Sequence, residues 1–467
     1  MADLFSILSQ GAASMDAQQT VSATTSNNIA NANNPGYSKQ TAVLEALLPT
    51  ELIGGAFVGR GVGVQTVTQT RDLFLERQLP AAFSSAASSS AQASTLTSLS
   101  ALDPQAQGGL SAALGNFYSA LQAMSQNPGN AGLRQAAVAA AQGLAVAFNN
   151  TASGLTQARG GVDAQLDGLV PQINGLSQQI AKLNDQISSA RSSGAEPNDL
   201  LDARQAAQDQ LSQLTGASAL TDAHGNVSMV LANGQALVSG DQASTLSTFV
   251  DASNGGHLGL QLAPPGGAAA LVPGASVGGT VGGLMSARDG ALLAAQNQVD
   301  QLAFDLGTAV NSVQQGGFTA AGAPGGALFN LTATAAGAAS QIQVSAAVVA
   351  SPSLLAAAGT PTGGSGDASN LLAMIATASQ TLSSGNTAAG TLSSLTAAYG
   401  AAAQQAQNQS TADGSALQQL QQLRASASGV SINDEMINLT KTQQVYQALG
   451  RVISATDAML TSLLQIS

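Results

Sequence analysis

The chain has no cysteine, which removes disulfides, thiolate nucleophiles and Cys-ligated metal sites together. It has two histidines, His224 and His257, too few for a zinc centre or a Ser-His-Asp triad and a poor basis for proton shuttling near neutral pH. Tryptophan is absent, with 4 Tyr and 10 Phe. Cores built on aromatics are therefore excluded, leaving thin Ala and Leu layers of the kind that suit long helices packed side by side. Charge is scarce, at 8% of residues where an ordinary soluble domain has about 25%. Lys and Arg number 13 against 25 Asp and Glu, a net charge of -12. Scattered cations in that number cannot make a basic patch, so no nucleic acid or anionic membrane is expected as a partner. Long apolar runs are missing too. The Ala-rich 136–148 stretch is short and is broken by Gln142 and Gly143, so no membrane insertion is expected. Asp3 stands where a signal peptide would be cationic and the first basic residue is Lys39; export by a cleaved signal peptide is not expected.

What is present is helical periodicity, clearest at the two ends. Ser431 reads as an N-cap with Asp434 three residues on. From there Ile432, Met436, Leu439, Tyr446, Leu449, Ile453, Leu460 and Leu463 recur at helical spacing to the chain end, with Gln443 and Thr456 as weak spots in the stripe. A helix over that span would be roughly 50 Å long, and one narrow stripe on it needs a partner helix. Leu4, Leu8, Ala12 and Met15, continued by Ala17, Val21, Ala23, Ile29 and Ala30, supply one, stopped by Asn33-Asn34-Pro35-Gly36. Both ends are almost without charge, so their faces are expected to be buried against other chains. The packing residues this implies are Leu4, Leu8, Met15 and Ile29 at one end, and Ile432, Met436, Leu439, Tyr446, Leu449, Ile453, Leu460 and Leu463 at the other.

Between the ends, Val62 to Gln69 reads as a strand and Asp72 as the start of a helix. Helical sequence runs from about Ala81 to Gly154. Leu169, Ile173, Leu176, Ile180, Leu183 and Ile187 then form a heptad seam, with Pro171 marking a first turn or a kink. Asn198 or Asp199 is placed to cap the next helix, making a helical hairpin. Asn233-Gly234 between two β-like runs predicts a two-residue type I′ hairpin. Helix reopens at Gly282-Gly283 with Leu284, Leu292, Val299, Leu302, Leu306 and Val310 on one face. The 316–366 segment reads as loop and short strand, and helix from Asn370 to Ser426. The expected fold is mainly α with a smaller β part. It is elongated, with a long helical bundle or coiled coil formed by both chain ends and a β-hairpin-containing insertion in the middle. The expected units are 1–36 with 430–467 (terminal helices), 37–220 with 280–429 (helical bundle with short β segments) and 221–279 (β-rich insertion).

Few residues suggest chemistry. Gly59-Arg60-Gly61-Val62-Gly63 lacks the third spaced glycine of a dinucleotide loop and reads as a turn between strands. His224 and His257 lie in Gly-rich, turn-like contexts and read as solvated. Glu196, Asp199 and Asp202 cluster at a helix start, where the helix dipole accounts for them. No phosphate loop, zinc signature or nucleophile elbow is present, so no catalytic, cofactor-binding or metal residue is expected.

Asn27-Asn28-Ile29-Ala30-Asn31-Ala32-Asn33-Asn34-Pro35-Gly36-Tyr37-Ser38 resembles the N-terminal motif of bacterial flagellar rod, hook and hook-associated proteins. The residues that carry it are Asn28, Ile29, Asn31, Pro35, Gly36 and Tyr37. The segment from Ser428 to Leu460 resembles the matching C-terminal motif, through Asn438-Leu439, Gln443-Gln444, Tyr446-Gln447-Ala448 and Arg451-Val452-Ile453. Gly61-Val62-Gly63-Val64 with Arg71-Asp72-Leu73-Phe74-Leu75, Asn198-Asp199-Leu200-Leu201-Asp202-Ala203-Arg204, and Gly282-Gly283-Leu284 with Gly317-Phe318 narrow the resemblance to the hook-associated protein 1 family.

That resemblance implies a structural, non-enzymatic axial protein of the flagellum. It implies self-association into a ring, contact with hook protein below and a second junction protein toward the filament above, and type III export with a chaperone on the C-terminal region. The location implied is extracellular, in the flagellum. Another axial protein (hook, rod or flagellin-like) is the alternative. Two departures stand out. Only about 331–366 occupies the place of the family's outer β domain, which is expected to be reduced or missing, and Pro80 replaces the family's frequent basic residue after Gln-Leu.

Overall fold

The computed structural model describes residues 2–34, 36–51, 57–98 and 109–466. Helix α1 (Ala2–Ala30) ends in a turn over Asn31 to Asn33; Pro35, the expected stop, lies outside the described residues. A ribbon of β1 (Gln40–Ala46), β2 (Thr50–Glu51), β3 (Phe57–Val58) and β4 (Val62–Gln69) follows. Strand β1 pairs antiparallel with β4, and the ribbon lies along α1. Gly61 is why it can lie close. Its φ is +90°, and a Cβ there would stand 2.8 Å from Ser14 Oγ and 3.0 Å from the Gln10 carbonyl.

Asp72 caps α2 (Leu73–Thr97), accepting from Phe74 N at 2.9 Å, and the helix continues through Pro80. Helix α3 (Leu110–Gln126) leads to α4 (Ala131–Ser192), a helix of 62 residues. Pro171 is therefore not in a first turn. Leu155, Val162, Leu166, Ile173, Ile180 and Ile187 are buried on both sides of it, and that continuous stripe carries the helix past the missing N–H. Helix α5 (Asn198–Thr215) completes the hairpin, but neither Asn198 nor Asp199 caps it. The N-cap is Pro197, which makes no side-chain bond, and both side chains turn to the ribbon instead.

The β insertion forms two antiparallel sheets. The first is β5 (Ser218–Thr221), β6 (Val227–Val230), β7 (Ala236–Ser239) and β8 (Gln242–Ala243), in that spatial order. The second holds β9 (Thr245–Asp251), β10 (His257–Ala263) and β11 (Ala270–Val272), with β10 in the centre. The β6–β7 turn is not type I′, because Asn233 has negative φ and only Gly234 is left-handed, at +85°. Leu231 N donates to Gln235 O at 2.8 Å across a three-residue loop, the form in which a tight turn is followed by a left-handed glycine.

Helix α6 (Gly279–Ser286), a π-helical stretch (Ala287–Leu292) and α7 (Leu293–Gly316) run on as one rod. A Cβ at Gly283 would stand 2.1 Å from the Ser88 carbonyl, so the small residues of α2 and the glycines of α6 permit backbone contact. The next segment holds more helix than expected. Strands β12 (Phe329–Asn330) and β13 (Gln343–Val344) flank α8 (Ala338–Gln341), and α9 (Ala346–Ala350) follows. The helix expected from Asn370 to Ser426 is divided: α10 (Ser369–Ala376) ends before a turn, and Thr387 caps α11 (Ala388–Ser428) with its hydroxyl accepting from Gly390 N at 3.1 Å. Helix α12 (Ile432–Ile466) closes the chain, with Asp434 N donating to Ser431 Oγ at 3.4 Å as the cap predicts.

Two apolar cores result. One gathers α3, the first half of α4, α7, α10 and the start of α11, with Phe117 and Phe329 edge to face at 6.0 Å. The other gathers the second half of α4, α5, both sheets and α6. Helix α4 passes from one to the other between Leu155 and Val162. Helices α1 and α12 pack on each other outside both cores. The fold is mainly helical with small antiparallel sheets in the middle, and both chain ends form one long helical pair.

Candidate functional site: the paired chain ends and their joint

Helices α1 and α12 run antiparallel, since Asn28 meets Glu435 and Gly11 meets Ile453. The covered side of α12 holds Glu435, Leu439, Thr442, Leu449, Ile453, Thr456 and Leu460, in steps of 4, 3, 7, 4, 3 and 4 residues. That is a coiled-coil seam with three polar positions. Opposite it α1 offers mostly small residues, Gly11, Ser14, Ala17 and Thr25, all buried. A Cβ at Gly11 would come within 2.9 Å of Ile453 Cγ1.

The stripe expected on α12 divides on this pair. Leu439, Leu449 and Ile453 are half-buried and Leu460 is buried. Ile432, Met436, Tyr446 and Leu463 stay 42–50% exposed. Gln443 is exposed as well, and the seam position nearest it is Thr442; Thr456 is a polar seam position as expected. On α1, Leu4, Leu8, Met15 and Ile29 are half-buried while Phe5 is 61% exposed. Sequence periodicity missed a further exposed row, Val445, Val452 and Met459, spaced by seven and 44–59% exposed.

The joint beneath the pair is polar. Asn28 is buried and fully used. Its amide donates to Glu435 Oε2 at 3.0 Å and to the Gln40 carbonyl at 2.8 Å, and its oxygen accepts from Gln40 N at 3.0 Å and the Tyr37 hydroxyl at 2.8 Å. Lys39 Nζ stands 2.8 Å from the other oxygen of Glu435, which is 2% exposed. Burial, with Asp199, Asp202 and Glu435 nearby, pushes the Tyr37 hydroxyl up to about 12. Asn31 bonds back to Asn27 at 2.8 Å, closing α1, and Gly36 donates to the Asn34 side chain.

The carboxylates of α5 are ties. Asp202 accepts from Ser38 N, Ser38 Oγ and Arg71 at 3.1, 3.0 and 2.6 Å. Asp199 accepts from Gln40 Nε2 at 3.0 Å and Asn198 donates to the Val67 carbonyl at 2.7 Å. Arg424 bridges Glu76 at 3.4 Å and Asp209 at 3.2 Å, joining α11, α2 and α5. Burial pushes the Asp209 carboxyl up to about 6, against the pull of Gln205 and Arg424. The dipole reading of this cluster overlooked all of these partners. Their only sequence signal was the Asn-Asp-Leu-Leu-Asp string itself.

One histidine matches its expected solvated turn and the other does not. His224 is exposed in a turn closed by Asp222, as expected. His257 opens β10, with Nδ1 2.6 Å from Asp163, and Arg288 ties Asp163 to Asp289. The 59–63 glycines form the turn seated on α1. Among the described residues no group of three His, Cys, Asp or Glu could hold a metal ion, and no helix is long and apolar enough to cross a membrane.

Two chain ends coiled on each other outside the body, locked by an Asn-rich turn and rowed with exposed apolar residues, are in keeping with the resemblance to axial proteins of the bacterial flagellum. The comparisons agree. Residues 96–329 match the flagellar hook-associated protein FlgK helical domain, and residues 421–466 match the flagellar basal body rod FlgEFG protein C-terminal model. The chain is 28% identical to flagellar hook-associated protein 1 of Bacillus subtilis, over 98% of both chains. It is 26% identical to that of Salmonella typhimurium over 70% of this chain and 59% of the relative. The fold resembles the flagellar hook junction protein FlgK from Burkholderia pseudomallei, with a TM-score of 0.68 at 21% identity over 75% of this chain and all of that one. The chain belongs to the flagellar hook-associated protein 1 family, a structural and non-enzymatic family of the flagellum.

Proposed function

We propose that copies of this chain form the ring at the hook–filament junction, with the α1–α12 pairs packed side by side as its inner tube. The observation that carries this is the apolar surface left on the pair. Ile432, Met436, Tyr446 and Leu463, with Val445, Val452 and Met459, stay exposed on α12. Two exposed apolar rows, Ile432, Met436 and Tyr446 on one flank of the seam and Val445, Val452, Met459 and Leu463 on the other, offer a face to a neighbour on each side. The body (37–220 with 280–429) makes the next shell, 221–279 faces outward, and 331–366 stands where the family's outer domain would be. Hook protein lies on one side of the ring and a second junction protein on the other. A type III export chaperone covers the C-terminal region before assembly, and the ring stands outside the cell.

The test is a pair of substitutions in the exposed row. Val452→Asp with Met459→Asp should leave monomer helicity and melting unchanged and abolish rings on hooks. Leu460→Asp should do something different, lowering the monomer's own stability, because Leu460 is buried in the seam. Normal rings from the Val452/Met459 double variant would sink the reading.

A further inference from the structure

With no cysteine in the chain, all its sulfur is methionine, eight residues in number. Their distribution is uneven. Met124, Met229, Met285 and Met374 are buried in the two apolar cores. Met15 is half-buried on α1, and Met1 lies outside the described residues. Met436 and Met459 differ from all of these. They are 50% and 59% exposed, and both stand on α12. They do not share a row. Met436 lies one turn past Ile432, and Met459 lies one heptad past Val452. Each exposed apolar row of the pair thus shows one thioether to solvent.

A thioether is the group in these rows that a peroxide attacks. The step balances without a further reactant. A sulfur lone pair takes one oxygen of hydrogen peroxide and the O–O bond breaks. The other oxygen leaves as water with both protons, so sulfur loses two electrons and the peroxide gains them. The product, methionine sulfoxide, is polar. Its oxygen accepts hydrogen bonds, and the side chains of Ile432, Val445, Val452 and Leu463 have none to donate. On a free copy water supplies the partner at no cost. Covered by a neighbour, an unpaired polar oxygen is expensive. The penalty falls on assembly and leaves the fold of the single copy alone.

We propose that Met436 and Met459 are oxidation sites that gate assembly: a peroxide converts them to sulfoxides on the free chain and bars that copy from the ring until a sulfoxide reductase restores them. This rests on the ring reading above and adds to it a reversible chemical condition on each incoming copy.

The test uses the purified full chain and hooks from cells that lack it. The chain is treated with hydrogen peroxide, the peroxide is removed, and hooks are added. Oxidised peptides are mapped by mass spectrometry, helicity is followed by circular dichroism, and rings are scored by electron microscopy. The expected result is one added oxygen on the peptides of Met436 and Met459, none on those of the four core methionines, unchanged helicity and loss of rings. Methionine sulfoxide reductases for both epimers should bring the rings back. Met436→Leu with Met459→Leu keeps apolar side chains of similar volume and should form rings with or without peroxide. Met436→Gln with Met459→Gln places polar groups at the same sites and should fail without peroxide. Normal rings from the oxidised chain or from the glutamine variant would overturn the inference and leave the ring reading standing. So would loss of rings from the peroxide-treated leucine variant, since the damage would then lie at another methionine. Absence of rings from the untreated, unaltered chain removes the ring reading, and this inference with it.

Discussion

Asn28 is the residue on which the joint turns. All its hydrogen-bonding groups are used, and Glu435 depends on it in a site closed to water. A buried group left without its partner costs about 1–3 kcal/mol. Asn28→Ala should therefore lower the unfolding free energy obtained from urea melts by an amount in that range and loosen hydrogen-exchange protection at the start of α12. A surface substitution such as Asp16→Asn should do neither. Asp209 gives a pH signature. Its folded carboxyl sits up to about 6, above its unfolded 3.8. The folded state therefore binds this proton more tightly, and stability rises as pH falls from about 6 toward 3.8. The stability difference between the unaltered chain and Asp209→Asn should shift in favour of the unaltered chain over that window; a difference flat with pH would refute the assignment.

At the scale of elements, two glycines separate conformational from steric demand. Gly234 has φ +85° and nothing within 4 Å of its would-be Cβ. Gly234→Ala should cost about 1 kcal/mol, purely through the turn. Gly283→Ala would drive a methyl into the Ser88 carbonyl. It should cost more, in the overpacking range of about 1–3 kcal/mol, and part α6 from α2. Denaturant melts of the two variants check both. Much at this scale was legible from residue spacing: β4, the helix start at Asp72, the Ser431 cap, and the buried row from Leu284 to Val310. What was not legible has physical causes. Pro171 looks like a helix start because its N–H is missing, yet apolar residues before and after it hold α4 together. The stripe on α12 looked single because the seam positions Glu435, Thr442 and Thr456 are polar. Periodicity alone cannot tell the row facing α1 from the row left outside. The Asn28–Glu435 bond joins residues 407 apart, beyond any local pattern, and the motif resemblance marked Asn28 without naming its partner.

At the scale of the molecule, the pair of chain ends carries very few charges. On α12 they are Asp434, Glu435, Lys441, Arg451 and Asp457, and Glu435 is enclosed. An assembly held by such surfaces owes little to screened electrostatics. Rings should therefore survive a change from low to high ionic strength, checked by counting hooks that keep them after salt washing. Loss of rings in 1 M salt, where the Debye length is about 3 Å, would point to ionic contacts instead.

Helix α4 runs unbroken through both apolar cores. At 1.5 Å per residue its 62 residues make a spar of about 93 Å. A torque applied at one core reaches the other along a single hydrogen-bonded rod, with no loop between them to absorb it. The two halves must turn together.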